Sequence, residues 1–436
     1  MLPKIYVEDI FNQKCAEGDS VELKGWVYNK RSSGKVKFLL VRDGTGTIQG
    51  VLFKGEASEN AFSVFEGLNQ ETSVVVTGKL AKAPKAPGGW ELQVSSVEQV
   101  GASVDYPITP KEHGPAFLLD HRHLWIRSKR QHAILRIRSE VVRASREFFD
   151  QQGFVGFDAP IFTPNACEGT TDLFEVDYFD EAKAYLSQSG QLYGEAGAFA
   201  FGKAYVFGPT FRAEKSKTRR HLTEFWMLEP EVAYMNIEET MSLAERMITH
   251  IVDSVLKNRA RELETLERDV EILKKIKAPF ARMSYDEASD ILVKESKDGF
   301  KAGDSFGGGD ETILASKNSA PTFIYGFPMN QKPFYTKEDP ARPGYSLSCD
   351  LLAPEGYGEI IGGAQREDDE VKLLQKIKEH DLDEKVFSWY LDLRRFGSVP
   401  HAGFGVGIER CTAWISGVPH VRECIPFPRM LNRLSP

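Results

Sequence analysis

The sequence is poor in cysteine and has no long apolar run, and each of these absences excludes a class of protein. Its five cysteines are odd in number and scattered, and no CxxC pair occurs in the 436 residues, so a disulfide scaffold or a structural zinc site is not expected. No stretch of about 18 apolar residues occurs, and the first residues lack a hydrophobic signal segment. We therefore expect a cytoplasmic protein of a reducing compartment, without a membrane partner.

A phosphate-binding loop of the GxxxxGK[ST] type is absent as well, and the alternating glycines at 403–407 lack the GxGxxG spacing of a dinucleotide site. If the chain uses ATP, it must bind ATP in another way. Basic and acidic residues number 55 and 63, which gives a formal net charge of −8. This charge argues against a protein that coats nucleic acid unspecifically, but basic residues gather at 30–37, 122–146 and 212–220.

The N-terminal part of the chain has the pattern of a small β-barrel. Residues 21–100 contain five short runs rich in β-branched residues, separated by turn signals such as Asp43-Gly44. Five strands in so short a segment predict a barrel of the OB-fold type. Residues 101–127 carry several prolines and no clear periodicity, which indicates a linker.

The rest of the chain mixes helical and strand patterns. A helix is predicted at 130–152, and Gly153 would end it. Further helical patterns occur at 237–260 and 369–393. The strands between them do not form regular βαβ units, so we expect an α+β fold with an antiparallel sheet flanked by helices. The predicted domains are an OB-fold barrel at 1–102, a linker at 103–129 and a catalytic domain at 130–436.

A predicted hairpin at 205–234 carries the strongest chemical signal. Guanidinium groups bind phosphate oxygens in pairs, so a basic loop between two strands is suited to hold polyphosphate. A charge run alone more often marks a solvated surface, but acids on the following strand favour a site, because carboxylates are rarely buried without partners. The basic residues are Arg212, Lys215, Lys217, Arg219 and Arg220, and the acids are Glu224, Glu229 and Glu231.

Two glycine-rich segments follow nearer the C-terminus. At 345–366, Asp350 and Glu359 lie on either side of a turn and could share Mg²⁺, which proteins usually hold by one or two carboxylates plus substrate phosphates. Taken alone, this segment is more simply an ordinary hairpin. At 401–414, three alternating glycines lead into Glu409-Arg410 at the start of an apolar helix.

Together these segments resemble the three signature motifs of class II aminoacyl-tRNA synthetases. Residues 153–160 and the helix before them resemble the first motif, 211–225 the second and 403–410 the third. All three occur in order and at suitable separations, and the two class I signatures are absent. The barrel sequence GWVYNKRSSGKVKFLLVRDGTGTIQ is similar to the anticodon-binding OB-fold of the aspartyl, asparaginyl and lysyl enzymes.

Within that subgroup, residues 189–195 resemble the lining of the amino-acid site. Aspartyl enzymes keep a lysine near the position of Gly194, because an aspartate side chain needs a second cation and a neutral amide does not. The run Leu228-Glu229-Pro230-Glu231 resembles the asparaginyl pattern. The resemblance therefore implies ATP-dependent ligation of L-asparagine to tRNA(Asn) through an adenylate, with release of AMP and pyrophosphate.

By this resemblance, Arg212 would hold the α-phosphate of ATP, and Phe225 and Arg410 would sandwich the adenine ring. Glu214 would accept a hydrogen bond from the adenine amino group. No protein nucleophile is needed, because Arg212, Arg410 and Glu359 would act by positioning and charge neutralisation. The outer phosphates are assigned to Arg220 and His221, and the Mg²⁺ ion to Asp350 and Glu359.

For the amino acid, the resemblance implies that Arg366 donates to the side-chain carbonyl and that Glu229 accepts from the amide NH₂. Glu231 is the alternative acceptor. A carboxylate ligand would be repelled by this acid, which discriminates against aspartate. The α-ammonium contacts are assigned to Ser189 and Gln191, and the mobile lid of the family to the segment that contains Glu168.

In the barrel, Phe38 would stack on the central uracil of the anticodon, with Arg31 and Gln49 reading its edge and Glu91 contacting the first base. The alternation in KVKFLLV leaves a place in the barrel core as an equal alternative for Phe38. In the family, the first motif, here from Gly153 to Pro160, forms the interface of a homodimer.

Three other interpretations stay open at this stage. A non-discriminating aspartyl enzyme is disfavoured by Gly194 and Glu229. An ATP-dependent, asparagine-making relative of the synthetases would lack the anticodon barrel. A nucleic-acid-binding protein with an inactive synthetase-like domain is disfavoured by the intact Arg212, Glu359 and Arg410.

Overall fold

The computed structural model describes residues 4–55, 57–167, 173–179, 182–296 and 299–436. The chain divides into two compact units, Met1–His121 and Arg122–Pro436. The division falls inside the predicted linker at 103–129, where the structure has two short helices. Within the described ranges, no helix is long and apolar enough to cross a membrane.

The first unit contains the closed barrel that the sequence predicts. Its elements are α1 (Val7–Phe11), β1 (Ser20–Ser33), β2 (Val36–Arg42), β3 (Thr47–Phe53), α2 (Glu59–Gly67), β4 (Ser73–Lys82), a 3₁₀ turn (Pro87–Gly89), β5 (Trp90–Gly101) and α3 (Pro115–Asp120). The strands close in the order β1-β2-β3-β5-β4, and alternate side chains such as Leu39 and Val41 fill the interior. Helices α1 and α2, which the sequence analysis missed, add Ile10 and Phe65 to this core.

The second unit combines helices with two sheets. Its helices are α4 (Arg122–Trp125), α5 (Lys129–Gln151), α6 (Gln191–Phe201), α7 (Ile237–Asn258), α8 (Ala260–Thr265), α9 (Val270–Lys274), α10 (Tyr285–Glu295), α11 (Gly308–Ala315), α12 (Glu370–Glu379), α13 (Ser388–Arg395) and α14 (Ile408–Ser416), with 3₁₀ turns at Met329–Gln331 and Val421–Glu423. Its strands are β6 (Val155–Gly156), β7 (Phe162–Thr163), β8 (Glu175–Tyr178), β9 (Ala182–Leu186), β10 (Lys203–Phe211), β11 (Glu224–Ala233), β12 (Ala281–Ser284), β13 (Thr322–Tyr325), β14 (Ser348–Ala353), β15 (Gly358–Gln365) and β16 (His401–Gly407).

The larger sheet has eight strands in the order β12-β13-β14-β15-β16-β11-β10-β6. The pairs β12–β13 and β10–β6, at its two ends, are parallel, and the pairs between them are antiparallel. A smaller sheet has the order β7-β9-β8. The prediction of an α+β fold with a mainly antiparallel sheet is therefore confirmed.

The apolar faces of two long helices form the main core with this sheet. Ile137 of α5 and Ile251 of α7 are fully buried and share one cluster with Phe404 of β16. The predicted helix at 130–152 is confirmed within a residue at each end, and Gly153 follows it at φ +76°, a conformation that favours glycine.

One helix prediction was wrong in extent. The segment 369–393 forms two helices, α12 and α13, instead of one. Asp381 lies between them with φ +53°, and such a left-handed residue interrupts the helical hydrogen-bond series. Leu373 and Ile377 of α12 and Tyr390 of α13 enter the same small core. The spacing of apolar residues therefore continues across the break and does not reveal it.

A buried arginine joins the start of the second unit to its end. Arg122 is 1% exposed, and its guanidinium group donates to the carbonyl oxygens of Ile425 (2.8 Å) and Pro426 (2.8 Å) and to Oε1 of Gln131 (2.6 Å). Burial lowers the pKa of Arg122 to about 10. The buried group is tolerated because its donors have oxygen partners.

We expect Arg122→Met to lower the free energy of unfolding of the second unit by about 3 kcal/mol, because the carbonyl groups of residues 425 and 426 would stay buried without donors. The urea midpoint of this unit, followed by tryptophan fluorescence, measures the change. Lys274→Met is the matched control, since it removes an exposed cation whose partner Glu271 is exposed too. Equal midpoints for the two variants would contradict the prediction.

Candidate active site

The second and third predicted motif segments meet around one cavity of about 580 Å³ in the second unit. The neighbouring strands β11, β16, β15 and β14 and the helices α6 and α14 contribute residues to its walls. Every ATP-, amino-acid- and metal-binding residue predicted from the sequence lines it, except Glu168, which lies outside the described residues. The lining includes Ser189, Gln191, Arg212, Glu214, Arg220, His221, Phe225, Glu229, Asp350, Glu359, Arg366 and Arg410.

The alternating glycines of β16 make room for this cavity. A Cβ atom at Gly403 would collide with the carboxyl group of Glu231, and one at Gly405 would collide with the Met227 side chain. Both glycines pair with neighbouring strands, Gly403 with Glu231 and Gly405 with Gly362. The glycine pattern therefore serves close packing beneath the site and is not a dinucleotide fingerprint.

At one end of the cavity, Arg410 connects the second and third motif segments. Its Nη1 donates to the backbone oxygen of Glu359 (2.9 Å) and lies 3.4 Å from the Glu359 carboxylate. Its Nε donates to the backbone oxygen of Arg220 (3.3 Å). Its Nη2 lies 3.4 Å from Nε2 of His221. Burial and then the Arg410 charge lower the pKa of His221, so this histidine is neutral near pH 7.

Arg212 lies on the same side, beside an aromatic ring. Its guanidinium carbon is 5.3 Å from the centre of the Phe225 ring, and its Nη2 is 4.0 Å from the sulfur of Met227. The hairpin positions it, because Arg212 N donates to the oxygen of Thr223 across the loop (3.0 Å). A cation and a flat aromatic face are thus available together for a nucleotide.

Arg220 contacts a helix that the sequence analysis did not include in the site. It donates to Glu311 Oε2 (2.8 Å), Thr312 Oγ1 (3.0 Å) and the oxygen of Gly356 (2.6 Å). These contacts hold the basic loop against α11. The sequence offered no signal for them, since GGDETILA shows only a short helix with a capping acid.

Two carboxylates approach each other beside Gly362. A Cβ atom there would lie 2.9 Å from Oε1 of Glu359 and 3.7 Å from Oδ1 of Asp350. Burial and then Glu359, against the opposing charge of Lys332, raise the pKa of Asp350 to about 6. Lys332 Nζ lies 2.9 Å from each oxygen of Asp350. Across the described part of the chain, no group of three or more His, Cys, Asp or Glu side chains could hold a metal ion.

At the other end of the cavity, Glu229 and Ser189 are tied together. Ser189 Oγ donates to Oε1 of Glu229, and the backbone nitrogen of Gly190 donates to Oε2 (2.8 Å). The nitrogen of Gln191 donates to Ser189 Oγ (3.1 Å). The chain from 189 to 191, where helix α6 begins, is therefore fixed against β11.

Arg366 and Glu231 form a fully buried ion pair. Nη2 of Arg366 contacts Oε1 of Glu231, and Nε donates to Oε2 at 3.2 Å, so both carboxylate oxygens are used. Of the two acids considered from the sequence, the structure places Glu231 against Arg366 and Glu229 against Ser189. Gly194 lies beside this pair, since a Cβ there would be 3.3 Å from Cγ of Glu231.

Sequence analysis missed a buried group of side chains behind the pocket. Glu195 of α6 accepts hydrogen bonds from Gln191, Tyr390 and Arg394, and His401 Nε2 lies 3.0 Å from it. The sequence does contain a signal for this group. Glu195 is the only charged residue in the helix QLYGEAGAFAF and lies one turn after Gln191, which indicates a buried carboxylate with partners.

In the first unit, the four predicted anticodon residues lie on neighbouring strands. Arg31 pairs with Phe38 across β1 and β2, with its guanidinium carbon 4.4 Å from the ring centre, and Gln49 pairs with Glu91 across β3 and β5. Phe38 is half-buried and does not join the barrel core, because the alternate residue Leu39 points inward. The structure therefore favours the outer face for Phe38.

The first motif lies at an edge of the large sheet. Gly153 and Pro160 are both exposed, and between them β6 pairs with β10 as the last strand.

Two family models match the chain, one for each unit. The family described as tRNA synthetases class II (D, K and N) matches residues 115–431, and the OB-fold nucleic acid binding domain matches residues 21–100. The first match alone spans well over half of the chain.

The curated asparagine–tRNA ligases of Chloroflexus aurantiacus and Sorangium cellulosum are 56% and 55% identical to this chain, and each alignment covers 96% of both proteins. The crystal structure of asparaginyl-tRNA synthetase from Pyrococcus horikoshii complexed with asparaginyl-adenylate is 44% identical, with a TM-score of 0.94 and coverage of 100% of both chains. The chain therefore belongs to the class II tRNA synthetases of the D, K and N group, in the asparagine–tRNA ligase family.

Proposed function

We propose that this chain ligates L-asparagine to tRNA(Asn) in two steps, with ATP as the second substrate. One observation carries the proposal: cations suited to phosphate, Arg212 and Arg410, line the same cavity as the buried Arg366–Glu231 pair. Similar proteins of matching length are asparagine–tRNA ligases, and one solved relative holds asparaginyl-adenylate, which supports the assignment.

In the first step, a carboxylate oxygen of asparagine attacks the α-phosphorus of ATP, and the bond to pyrophosphate breaks. Arg212 would bind the α-phosphate and stabilise the charge that develops there, beside an adenine stacked between Phe225 and Arg410. Glu214 would accept from the adenine amino group. The half-buried Arg220 and His221 would hold the outer phosphates of ATP. These phosphates would compete with the Glu311 carboxylate for the Arg220 guanidinium group.

We assign the magnesium ion to Asp350 and Glu359. Their carboxylates lie close together beside Gly362, and one or two carboxylates plus substrate phosphates are the usual ligands of Mg²⁺. When bound with ATP, the ion would neutralise charge on the pyrophosphate group. Lys332, which contacts both oxygens of Asp350, adds positive charge at the same end of the cavity.

The asparagine side chain would lie beside Arg366 and the two buried acids, Glu229 and Glu231. Arg366 would donate to the amide oxygen, and an acid would accept from the amide NH₂, with Ser189 and Gln191 near the α-ammonium group. Aspartate would place a further carboxylate beside Glu229 and Glu231. Both acids are already buried there, so additional negative charge is unfavourable.

In the second step, the 3′-hydroxyl of the terminal tRNA adenosine attacks the carbonyl carbon of the adenylate and AMP leaves. The barrel would bind the anticodon on its outer face, where Phe38 is available for stacking and Arg31, Gln49 and Glu91 lie nearby. The assignment of Glu168 to a mobile lid over the amino acid stays a prediction, because that residue lies outside the described residues.

We also propose a cytoplasmic homodimer that is joined through the first motif. Apolar side chains are exposed at and near this edge, including Val155 of β6 (38%) and Phe162 of β7 (51%). Tyr178 and Phe179 extend the exposed aromatic row from Phe162, with ring centres 5.9 and 5.0 Å apart. Exposed apolar surface of this kind commonly marks a protein interface.

We expect asparagine to drive ATP–pyrophosphate exchange at least about a hundredfold better than aspartate, as kcat/KM, in the presence of Mg²⁺. A buried site built around an amide leaves polar groups mismatched when the ligand is a carboxylate. Exchange measured with both amino acids side by side tests this. Equal rates would identify a non-discriminating aspartyl enzyme instead.

Arg212→Lys should lower kcat for exchange about a hundredfold, because lysine retains the charge and loses the paired N–H donors toward phosphate. Lys217→Met is the control, since it removes an exposed cation from the same loop and should leave exchange within about twofold of the wild type. A lysine variant with wild-type kcat would remove Arg212 from the mechanism.

Phe38→Ala should raise KM for tRNA in the charging reaction by about tenfold, which corresponds to the loss of one stacked base. Exchange without tRNA should stay at the wild-type rate, because Phe38 belongs to the first unit. Unchanged charging kinetics would exclude the outer barrel face as the anticodon site.

A further inference from the structure

Glu195 is a buried carboxylate to which the mechanism above gives no role. It is fully inaccessible on helix α6. Oε1 accepts from Nε2 of Gln191 (3.1 Å), and both oxygens accept from the hydroxyl of Tyr390 (2.8 Å each). Oε2 accepts from Nη2 of Arg394 (2.7 Å) and contacts Nε2 of His401 (3.0 Å).

Two of its neighbours are residues of the amino-acid pocket. Gln191 and Arg366 line the cavity, and both approach Glu195 from the cavity side: Gln191 by its hydrogen bond, and Arg366 with Nε 4.0 Å from Oε1. Glu195 therefore lies behind the two side chains that would meet opposite ends of the amino acid. A change in its charge or position acts on the ligand through them.

The charges around Arg366 show what Glu195 contributes. Glu231 pairs with Nε and Nη2 of Arg366, and Glu195 is a second carboxylate at ion-pair distance from the same guanidinium group. Arg394 pairs with Glu195 on its far side, where His401 also contacts the carboxylate, and Arg394 donates to the backbone oxygen of Glu367 (2.8 Å). Arg366 thus faces two carboxylates, Glu231 in direct contact and Glu195 at 4.0 Å, and together they reduce its effective positive charge.

The reduced positive charge of Arg366 matters for the choice between asparagine and aspartate, which have nearly the same shape. A guanidinium group with free charge binds a carboxylate better than an amide, whereas one neutralised by two acids retains its N–H donors and loses that preference. The Glu195 carboxylate also repels a ligand carboxylate bound on the other side of Arg366, and one such charge is enough to shift a selectivity by about tenfold.

We propose that Glu195 is a positioning residue that sets selectivity for asparagine over aspartate, because it fixes Gln191 and Arg366 from behind and neutralises Arg366. The inference rests on the proposed function and deepens it. Glu195 itself does not need to touch the substrate.

The decisive variant is Glu195→Gln, which keeps the shape of the side chain and removes its charge. We expect kcat/KM for asparagine to fall and the aspartate-to-asparagine ratio of kcat/KM to rise about tenfold or more in ATP–pyrophosphate exchange. A purely structural defect would lower both values together and leave their ratio unchanged. Thermal unfolding of each variant identifies such a defect directly.

Two further variants separate charge from geometry. Tyr390→Phe removes a hydrogen bond to the same carboxylate but keeps the charge, so the ratio should stay at the wild-type value or decrease. Glu195→Asp keeps the charge and shortens the reach, so KM for asparagine should rise while the ratio stays within about threefold of the wild type.

A wild-type ratio in folded Glu195→Gln would overturn the proposal. If that variant does not fold, Tyr390→Phe decides, since any gain of aspartate activity in it would contradict a role for the charge. Failure of the proposed function is a separate result. It would appear in the unmodified protein as exchange that asparagine does not stimulate.

Discussion

The buried ion pair between Arg366 and Glu231 is the constraint on which the rest of the catalytic unit depends. Two charges so deep in a protein are tolerated only with close, two-point geometry, and that geometry requires β11 and the end of β15 to lie at fixed positions. Strand β16 runs between them and presents Gly403 under the Glu231 carboxylate. The ion pair therefore requires a glycine at position 403 of β16, because any side chain there would collide with the Glu231 carboxylate.

The same constraint separates the cavity into two chemically different ends. Near Arg410 and Arg212, cations meet the half-buried carboxylate of Glu359, and this end remains open to groups of high negative charge. Around Arg366, the charged side chains are buried, and Arg366 is already paired with Glu231. A ligand with a phosphate at one end and a neutral amide at the other fits both ends of the cavity and leaves no uncompensated charge near Arg366.

Sequence reasoning reached the five-stranded barrel, the antiparallel α+β unit and the motif segments, because each has a local pattern: β-branched alternation, a basic hairpin loop and alternating glycines. It failed where long-range packing decides. Glu311 meets Arg220, and Tyr390 and Arg394 meet Glu195, across about a hundred to two hundred residues of chain without any pattern that links them. The break at Asp381 was hidden too, because both helices present one apolar face.

The position of β16 has a consequence for how the chain is made. This strand is the last to be synthesised, yet it lies between β15 and β11 near the middle of the sheet. On a ribosome, β11 emerges more than 150 residues before β16 and cannot complete its hydrogen bonding until that strand arrives. The barrel has all its strands within the first 101 residues, so it can close during synthesis, whereas the catalytic sheet can form only near its end.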